Sequence, residues 1–325
     1  MKALLLTGGL GTRLRPLTNT RPKPLLPIAN RPHIEHVFDM LQRHEVSEVV
    51  LTTSHLPETL APVAVMAREL GLSVDVTYEA EPLGTAGAIR NARDLLDNDA
   101  FYVLNGDVLT DVDLRAIAAF HRDTGGDATI FLVPVDDPSR FGVVPTDPTG
   151  RVTGFIEKPA RGEAATNNIN AGVYVLEPAV LDAIPHGVAC SIERDVFPQL
   201  VNSPRGLFAH VFDSYWIDVG TPESYLRANM DALAGRVHVE ALIEDGTALG
   251  AGARVAPSAR LSSACLGPEC VVADGSSVVD SVLLPRVQIG AGAVIEGSIL
   301  GEAVVVDDGV RLVGATLGDG EHVSL

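Results

Sequence analysis

Short apolar runs alternate with amphipathic stretches through the first half of the chain. Ala3–Leu6 is a continuous apolar run, the pattern of a buried strand. Ile34 to Arg43 carries apolar residues at Ile34, Val37, Phe38 and Leu41, the spacing of one helix face. The pattern then predicts a strand at Val46–Thr52, a helix at Pro57–Leu70 and a strand at Leu72–Tyr78. A helix beginning near Thr85, a strand at Phe101–Leu104, a helix at Leu114–Thr124 and a strand at Ala128–Val133 continue the alternation. Strands alternating with helices imply an α/β fold, a mostly parallel sheet covered on both faces. Ligands bind such sheets beyond the carboxyl ends of the strands. Further on, the FGVV, VTGFIEKP and NNINAGVYVL stretches mix polarity with β-branched residues and predict antiparallel strands folded over the sheet's end.

From Leu249 the period changes. Aliphatic residues stand at Leu249, Val255, Leu261, Leu266, Val272, Val278, Leu283, Ile289, Ile295, Leu300, Val306, Leu312, Leu317 and Val323, in steps of six, six and five. Each coil therefore takes seventeen residues, and three aliphatic edges in register describe a solenoid of triangular section. The chain divides into a domain at 1–235, a connector at 236–248 and the solenoid at 249–325.

Composition narrows the classes of partner. The 325 residues are 46% hydrophobic and 20% charged, with a formal net charge of −18. An acidic chain lacks the basic face that nucleic acid requires, and its apolar runs are too short for a bilayer. Three cysteines without metal-ligand spacing fit a reducing compartment, and Met1 and Lys2 lead straight into a strand with no leader pattern; the expected location is cytoplasmic.

Against that acidity, one loop is locally basic. TGGLGTRLRPLTNTRPKPLLP follows the first strand, and Gly8, Gly9 and Gly11 leave backbone amides free to form a nest for phosphate oxygens. Arg13, Arg15, Arg21 and Lys23 add four cations within eleven residues. The chain has 21 arginines and only three lysines, and two of the lysines, Lys23 and Lys158, fall in motifs. A compact ammonium suits a single phosphate oxygen better than a planar fork does. The loop is neither a Walker sequence nor a dinucleotide fingerprint, since no GKS or GKT follows and the glycine spacing differs from GxGxxG.

GGLGTRLRPLT followed by PKPLLPI resembles the signature of the sugar-1-phosphate nucleotidyltransferases, which join a nucleoside triphosphate to a sugar 1-phosphate. The resemblance implies a Rossmann-like catalytic domain, and the terminal repeat resembles the left-handed β-helix of hexapeptide-repeat proteins. It further implies that Arg13 and Lys23 are catalytic and that Gly8, Gly9, Gly11 and Thr12 cradle the triphosphate. EAEPLGTAG places Glu81, Gly84 and Thr85 at a nucleobase pocket, with Asn105 nearby. A carboxylate offers only acceptors, which match the adjacent donors of guanine. Asp107 in NGD and Asp218 in WIDVG sit at strand ends, and the resemblance makes them ligands of Mg2+. Gly142 of FGVV, Glu157 and Lys158 of EKP, and Asn170 of NAG would face the sugar phosphate. SIERDVFP, at 191–198, resembles the mannose-1-phosphate guanylyltransferases in particular. One departure is Thr7, where the family usually has alanine.

The leading expectation is GTP with mannose 1-phosphate as substrates. Thymidylyl, uridylyl or adenylyl transfer to glucose 1-phosphate, or transfer to a cyclitol phosphate, is the enzymatic alternative. A non-catalytic sugar-nucleotide sensor is the alternative of another class, opposed by the presence of Arg13, Lys23, Asp107, Lys158 and Asp218. An acyltransferase solenoid would need a histidine base, and that region holds only His322. The solenoid is therefore expected to serve contacts in a homo-oligomer, a dimer or tetramer.

Overall fold

The computed structural model describes residues 1–9, 11–53 and 61–325. They form two compact units, Met1–Gly9 with Val37–Trp216, and Leu10–His36 with Ile217–Leu325.

The first unit is built on β1 (Ala3–Leu6), β2 (Glu48–Thr53), β3 (Ser73–Tyr78), β4 (Phe101–Asn105), β5 (Ala128–Pro134), β6 (Asn168–Leu176) and β7 (Leu207–Val211). Their spatial order is β3-β2-β1-β4-β6-β5-β7. The pairs β1 with β2, β1 with β4, β2 with β3 and β5 with β7 are parallel. β6 runs antiparallel to both neighbours. The helices are α1 (His33–Arg43), α2 (Ala61–Glu69), α3 (Gly84–Asn91) and α4 (Leu114–Thr124). The first residues of the helix expected from Pro57, 57–60, lie outside the described residues.

β6 departs from expectation. NINAGVYVL lies inside the main sheet rather than over its end, because Ile169, Ala171 and Val173 to Leu176 are all buried. A strand covered on both faces carries a near-continuous apolar run. The segments expected beside it reduce to two-residue strands, Gly142–Val143 and Ile156–Glu157, paired antiparallel with each other. α4 starts where Asp113 accepts from the amides of Arg115 and Ala116, and ends on Gly125 at φ 63°.

In the second unit, α5 (Pro222–Leu233) opens on a capping box of Thr221 and Ser224 with Pro222 in the first turn. Behind it stands a parallel β-helix. Thr247 pairs with Ala264, Arg254 with Val271, Arg260 with Ser277, Gln288 with Val305 and Ile295 with Leu312, an offset of seventeen throughout. The corners recur at the same interval in the left-handed region: Glu269, Arg286 and Ala303 in one column, Ser263, Asp280 and Gly297 in another. The middle aliphatics of the repeat, Leu266 to Val306, form the core, while Leu249 at the open end is exposed. Close stacking also fixes some glycines: a Cβ on Gly250 would fall 2.3 Å from the backbone nitrogen of Pro268. The second unit thus takes in residues 10–36 and 217–235 together with the solenoid, so the sequence boundary at 235 falls within it.

Candidate active site

Each unit carries part of the expected constellation. In the first, a cavity of about 310 Å³ lies at the carboxyl ends of β1, β2 and β4, and Gly8, Gly9, Glu79, Gly84, Thr85, Asn105 and Asp107 are among its lining residues. Thr7 begins the glycine loop, and both its amide and its hydroxyl donate to the carbonyl of Thr52, the hydroxyl at 2.6 Å. The threonine that replaces alanine therefore ties the loop to β2. Gly106 accounts for the NGD motif: its amide donates to the carbonyl of Leu6 at 3.0 Å, and a Cβ there would meet the Thr7 side chain at 2.8 Å. That close packing sets Asn105 and Asp107 on the same cavity. Gly172 has φ 72°, and a Cβ on it would strike the Asn105 amide at 2.4 Å, so the glycine of NAG makes room for the asparagine of NGD.

Glu81 is exposed and is not among the residues lining the cavity. Glu79, two positions earlier, lines it and is buried, with its carboxylate accepting from the amide of Leu83 at 2.8 Å. Burial pushes the Glu79 carboxyl above the ordinary value, and the Leu83 amide partly offsets the rise. The start of α3 also differs from a bare anion site. The amides of Ala86 and Gly87 donate to the carbonyl of Cys190. A Cβ on Gly84 would lie 2.7 Å from that same oxygen. These glycines admit the 188–190 segment, and Gly84 and Thr85 are the residues left facing the cavities.

A neighbouring cavity of about 650 Å³ is lined by Gly84, Thr85, Glu157, Lys158, Ser191, Glu193 and Arg194 among others. Gly142 again serves approach, since a Cβ on it would come within 3.0 Å of the Glu157 carboxylate. Lys158 adopts φ 51°, and its Nζ lies 3.2 Å from Glu157. Asn170 accepts from the Gly172 amide at 2.9 Å and donates to the Tyr174 hydroxyl at 2.8 Å.

Sequence reasoning assigned no role to Glu193, which organises this side of the unit. Its carboxylate accepts from Thr85 Oγ1 at 3.0 Å, from Ser191 Oγ at 2.8 Å and from the Tyr174 hydroxyl at 3.5 Å. Thr85 Oγ1 in turn accepts from the Ile192 amide at 2.8 Å. The turn that carries it, Ile192–Val196, has π-helical bonding, a feature that gathers at functional sites.

In the second unit, Gly11 at φ 60° opens a turn over Thr12–Leu14. Its carbonyl accepts from the Leu14 amide at 2.9 Å and from Thr18 Oγ1 at 2.8 Å. A Cβ on Gly11 would press on Lys23 Cβ at 3.2 Å, so the two limbs of the loop close on each other there. Leu14 and Leu17 are buried, which leaves Thr12, Arg13 and Arg15 exposed and Lys23 buried in its own turn. Asp218 ends the strand Trp216–Asp218. The Arg13 guanidinium and the Asp218 carboxylate both come within 3.2 Å of where a Cβ on Gly220 would sit. Glycine at that position is what lets the two groups crowd one spot. Arg21, grouped with the other loop cations in the sequence, instead bonds carboxylates of the β-helix. His322 is paired with Asp307 at 2.7 Å on the solenoid surface.

Among the described residues no helix is long and apolar enough to cross a membrane. A nucleotidyl transferase family model matches residues 2–235, and a GMPPB C-terminal domain model matches residues 234–324. The mannose-1-phosphate guanylyltransferase of Mycobacterium tuberculosis is 39% identical over 285 residues, 81% of this chain and 79% of the relative. The mannose-1-phosphate guanyltransferase of Schizosaccharomyces pombe is 44% identical over 234 residues, 70% of this chain and 62% of the relative. Among solved structures, HddC from Yersinia pseudotuberculosis complexed with GMP-PN matches with a TM-score of 0.62 at 31% identity, covering 71% of this chain and 99% of that one. A putative glucose-1-phosphate thymidylyltransferase from Bacillus anthracis matches with a TM-score of 0.65 at 27% identity, covering 74% and 97%.

Proposed function

Since the chain belongs to the nucleotidyl transferase family, we propose that it transfers the guanylyl group of GTP to mannose 1-phosphate, giving GDP-mannose and pyrophosphate. The observation that carries the guanine preference is Glu79, a buried carboxylate on the wall of the cavity that begins at the glycine loop. Its oxygens are acceptors with two lone pairs each, so one can hold Leu83 while both receive the adjacent N–H donors of guanine. The relatives named mannose-1-phosphate guanylyltransferase support the same choice.

In the reaction an oxygen of the sugar phosphate attacks the α-phosphorus in line, and the bond from that phosphorus to the β-bridging oxygen breaks. The attacking group is already ionised, so alignment and charge neutralisation matter more than a general base. Gly8, Gly9, Gly11 and Thr12 are assigned to the triphosphate, with Arg13 on the departing pyrophosphate and Lys23 on the α-phosphate. Gly84, Thr85 and Asn105 position the nucleoside beside Glu79. On the sugar side Glu157 accepts from hydroxyls, Lys158 holds the phosphate, and Gly142 and Asn170 shape the wall. Removing Arg13 or Lys23 is expected to raise the barrier by about 2–4 kcal/mol, as loss of one preorganised donor does.

Among the described residues no group of three or more His, Cys, Asp or Glu could hold a metal ion alone. Asp107 and Asp218 offer only oxygen, which suits a hard cation that completes its shell with phosphate and water. We assign them to Mg2+, which when bound would neutralise charge on the reacting phosphates. Self-association through the β-helix, as a dimer or tetramer, belongs to the same proposal and is read by light scattering.

The test is a matrix of the four nucleoside triphosphates against mannose 1-phosphate, glucose 1-phosphate and a cyclitol phosphate, read by pyrophosphate release. GTP with mannose 1-phosphate is expected to give the highest kcat/KM. No release from any pair, together with tight binding of a finished nucleotide sugar, would overturn catalysis in favour of sensing.

A further inference from the structure

The segment that carries Arg13 and Lys23 is fastened to the β-helix at two separated places. At one, Asn30 Nδ2 donates to the carbonyl of Leu266 at 2.8 Å and to that of Ala248 at 3.2 Å, in the first coils. At the other, the Arg21 guanidinium lies 2.5 Å from Glu302 and 3.0 Å from Asp319, in the last coils, with its side chain only 17% exposed. Thr20 donates to the Asp319 oxygen that Arg21 also bonds. The second Asp319 oxygen accepts from the Glu302 amide at 2.7 Å, and Glu302 also bonds Arg286. Both anchors rest on a parallel ladder in which each coil is locked to the next.

An exposed ion pair contributes little to stability. This one is half-buried, and the Arg21 guanidinium bridges two carboxylates, Glu302, which Arg286 also pairs, and Asp319. It lies two residues from Lys23, and its charge is directed into the solenoid rather than to a substrate phosphate. A strong electrostatic tie so placed constrains where the loop can sit.

We propose that Arg21, through Glu302 and Asp319, is a positioning residue for nucleotidyl transfer, so that the β-helix is a working part of the catalytic machinery as well as a site of assembly. The inference rests on the roles given above to Arg13 and Lys23. Release of the far anchor leaves both cations in the protein but misplaces them relative to the α-phosphorus. A misplacement on the order of 1 Å costs about 100-fold in rate, and one anchor remains, so a loss of roughly 10- to 100-fold is expected.

The test uses the full-length protein, with Glu302→Gln and Asp319→Asn combined, and separately Arg21→Ala and Arg21→Lys. The Gln and Asn side chains keep shape and hydrogen-bonding capacity, which protects folding. For the double variant and for Arg21→Ala, kcat is expected to fall roughly 10- to 100-fold while KM for GTP stays within about 3-fold. Amide hydrogen exchange of residues 11–30 should quicken, with the sheet of the first unit unchanged. Arg21→Lys retains the charge and should recover the larger part of kcat. A parental kcat in the double variant, with unchanged exchange, would overturn the clamp alone. A rise in KM for GTP in Arg21→Ala at constant kcat would overturn it too, because Arg21 would then be binding substrate directly. Failure of the unmodified protein to release pyrophosphate from any substrate pair would sink the functional reading, and the clamp's catalytic role with it.

Discussion

Replacing Glu79 with glutamine isolates the group on which nucleotide choice depends. Glutamine keeps the length and planarity of the side chain and can still accept from Leu83. It loses the charge and turns an NH2 group toward the donors of guanine. A hydrogen bond to a charged group is worth about 1.5–3 kcal/mol, and a buried donor facing a donor adds about 1–3 kcal/mol. Allowing for relaxation, we take the sum as about 2–4 kcal/mol, or roughly 30- to 700-fold in kcat/KM for GTP. Rates with UTP, whose edge includes acceptors, should change little or rise. The assay is pyrophosphate release under second-order conditions with each nucleotide, and Glu81→Gln, at an exposed position, should change every rate less than about 2-fold. The raised ionisation of Glu79 adds a second signature. Protonation converts the carboxylate into a partial donor, so kcat/KM for GTP should fall on acidification earlier than an ordinary glutamate would predict, and that fall should vanish in the glutamine variant. An unchanged preference for GTP after Glu79→Gln, or a lost preference after Glu81→Gln, would refute the assignment.

Three further outcomes are expected. Asp107→Asn and Asp218→Asn should each lower kcat at least about 100-fold, and chelation of divalent ions should abolish turnover in the parent, with Mg2+ restoring it. Stability should fall as pH drops from about 7 to 5, because burial lowers the pKa of His121, against a smaller raising by Glu177, and of His210. The unfolded imidazoles take up protons near pH 6.5 while the folded ones remain neutral, so stability is lost progressively below that value; urea midpoints measured at several pH values read this, and His210→Phe should flatten the slope. Gly172→Ala forces a Cβ into the Asn105 amide at φ 72°, and should cost about 1–3 kcal/mol of stability along with a drop in kcat/KM, read by thermal melting and pyrophosphate release.

Local patterning was the most legible part of the chain. Leu114–Thr124 was bounded to the residue, since Asp113 and Gly125 are strong stops. The seventeen-residue repeat was readable because the middle coils bury the same positions and the end coils repeat the same spacing. The place of Asn168–Leu176 was not readable, because Asn168 and Asn170 give the stretch a mixed polarity that hides its burial, and pattern alone does not name a strand's neighbours. At the site, NGD, NAG and FG appeared as motifs, yet their glycines proved to serve close approach of Asn105 and Glu157, a relation visible only once the strands are paired. Glu81 stands nearer the glycines in sequence, whereas Glu79, the first residue past the strand Ser73–Tyr78, is the one on the cavity wall. The destination of Arg21 could not be read at all, for its carboxylates stand 281 and 298 residues away.

The solenoid's periodicity also limits how this chain can change length. An insertion of any size other than a whole coil would rotate every later aliphatic off its edge, so growth is quantised. Even a whole coil added between Leu266 and Glu302 would carry the far acidic pair about 4.8 Å along the stack, beyond the reach of a guanidinium fixed at its other end by Asn30. The eight residues of loop between those two fastenings, 22–29, act as a gauge of stack height, and a redesigned protein with a taller stack should need a longer loop to keep pace.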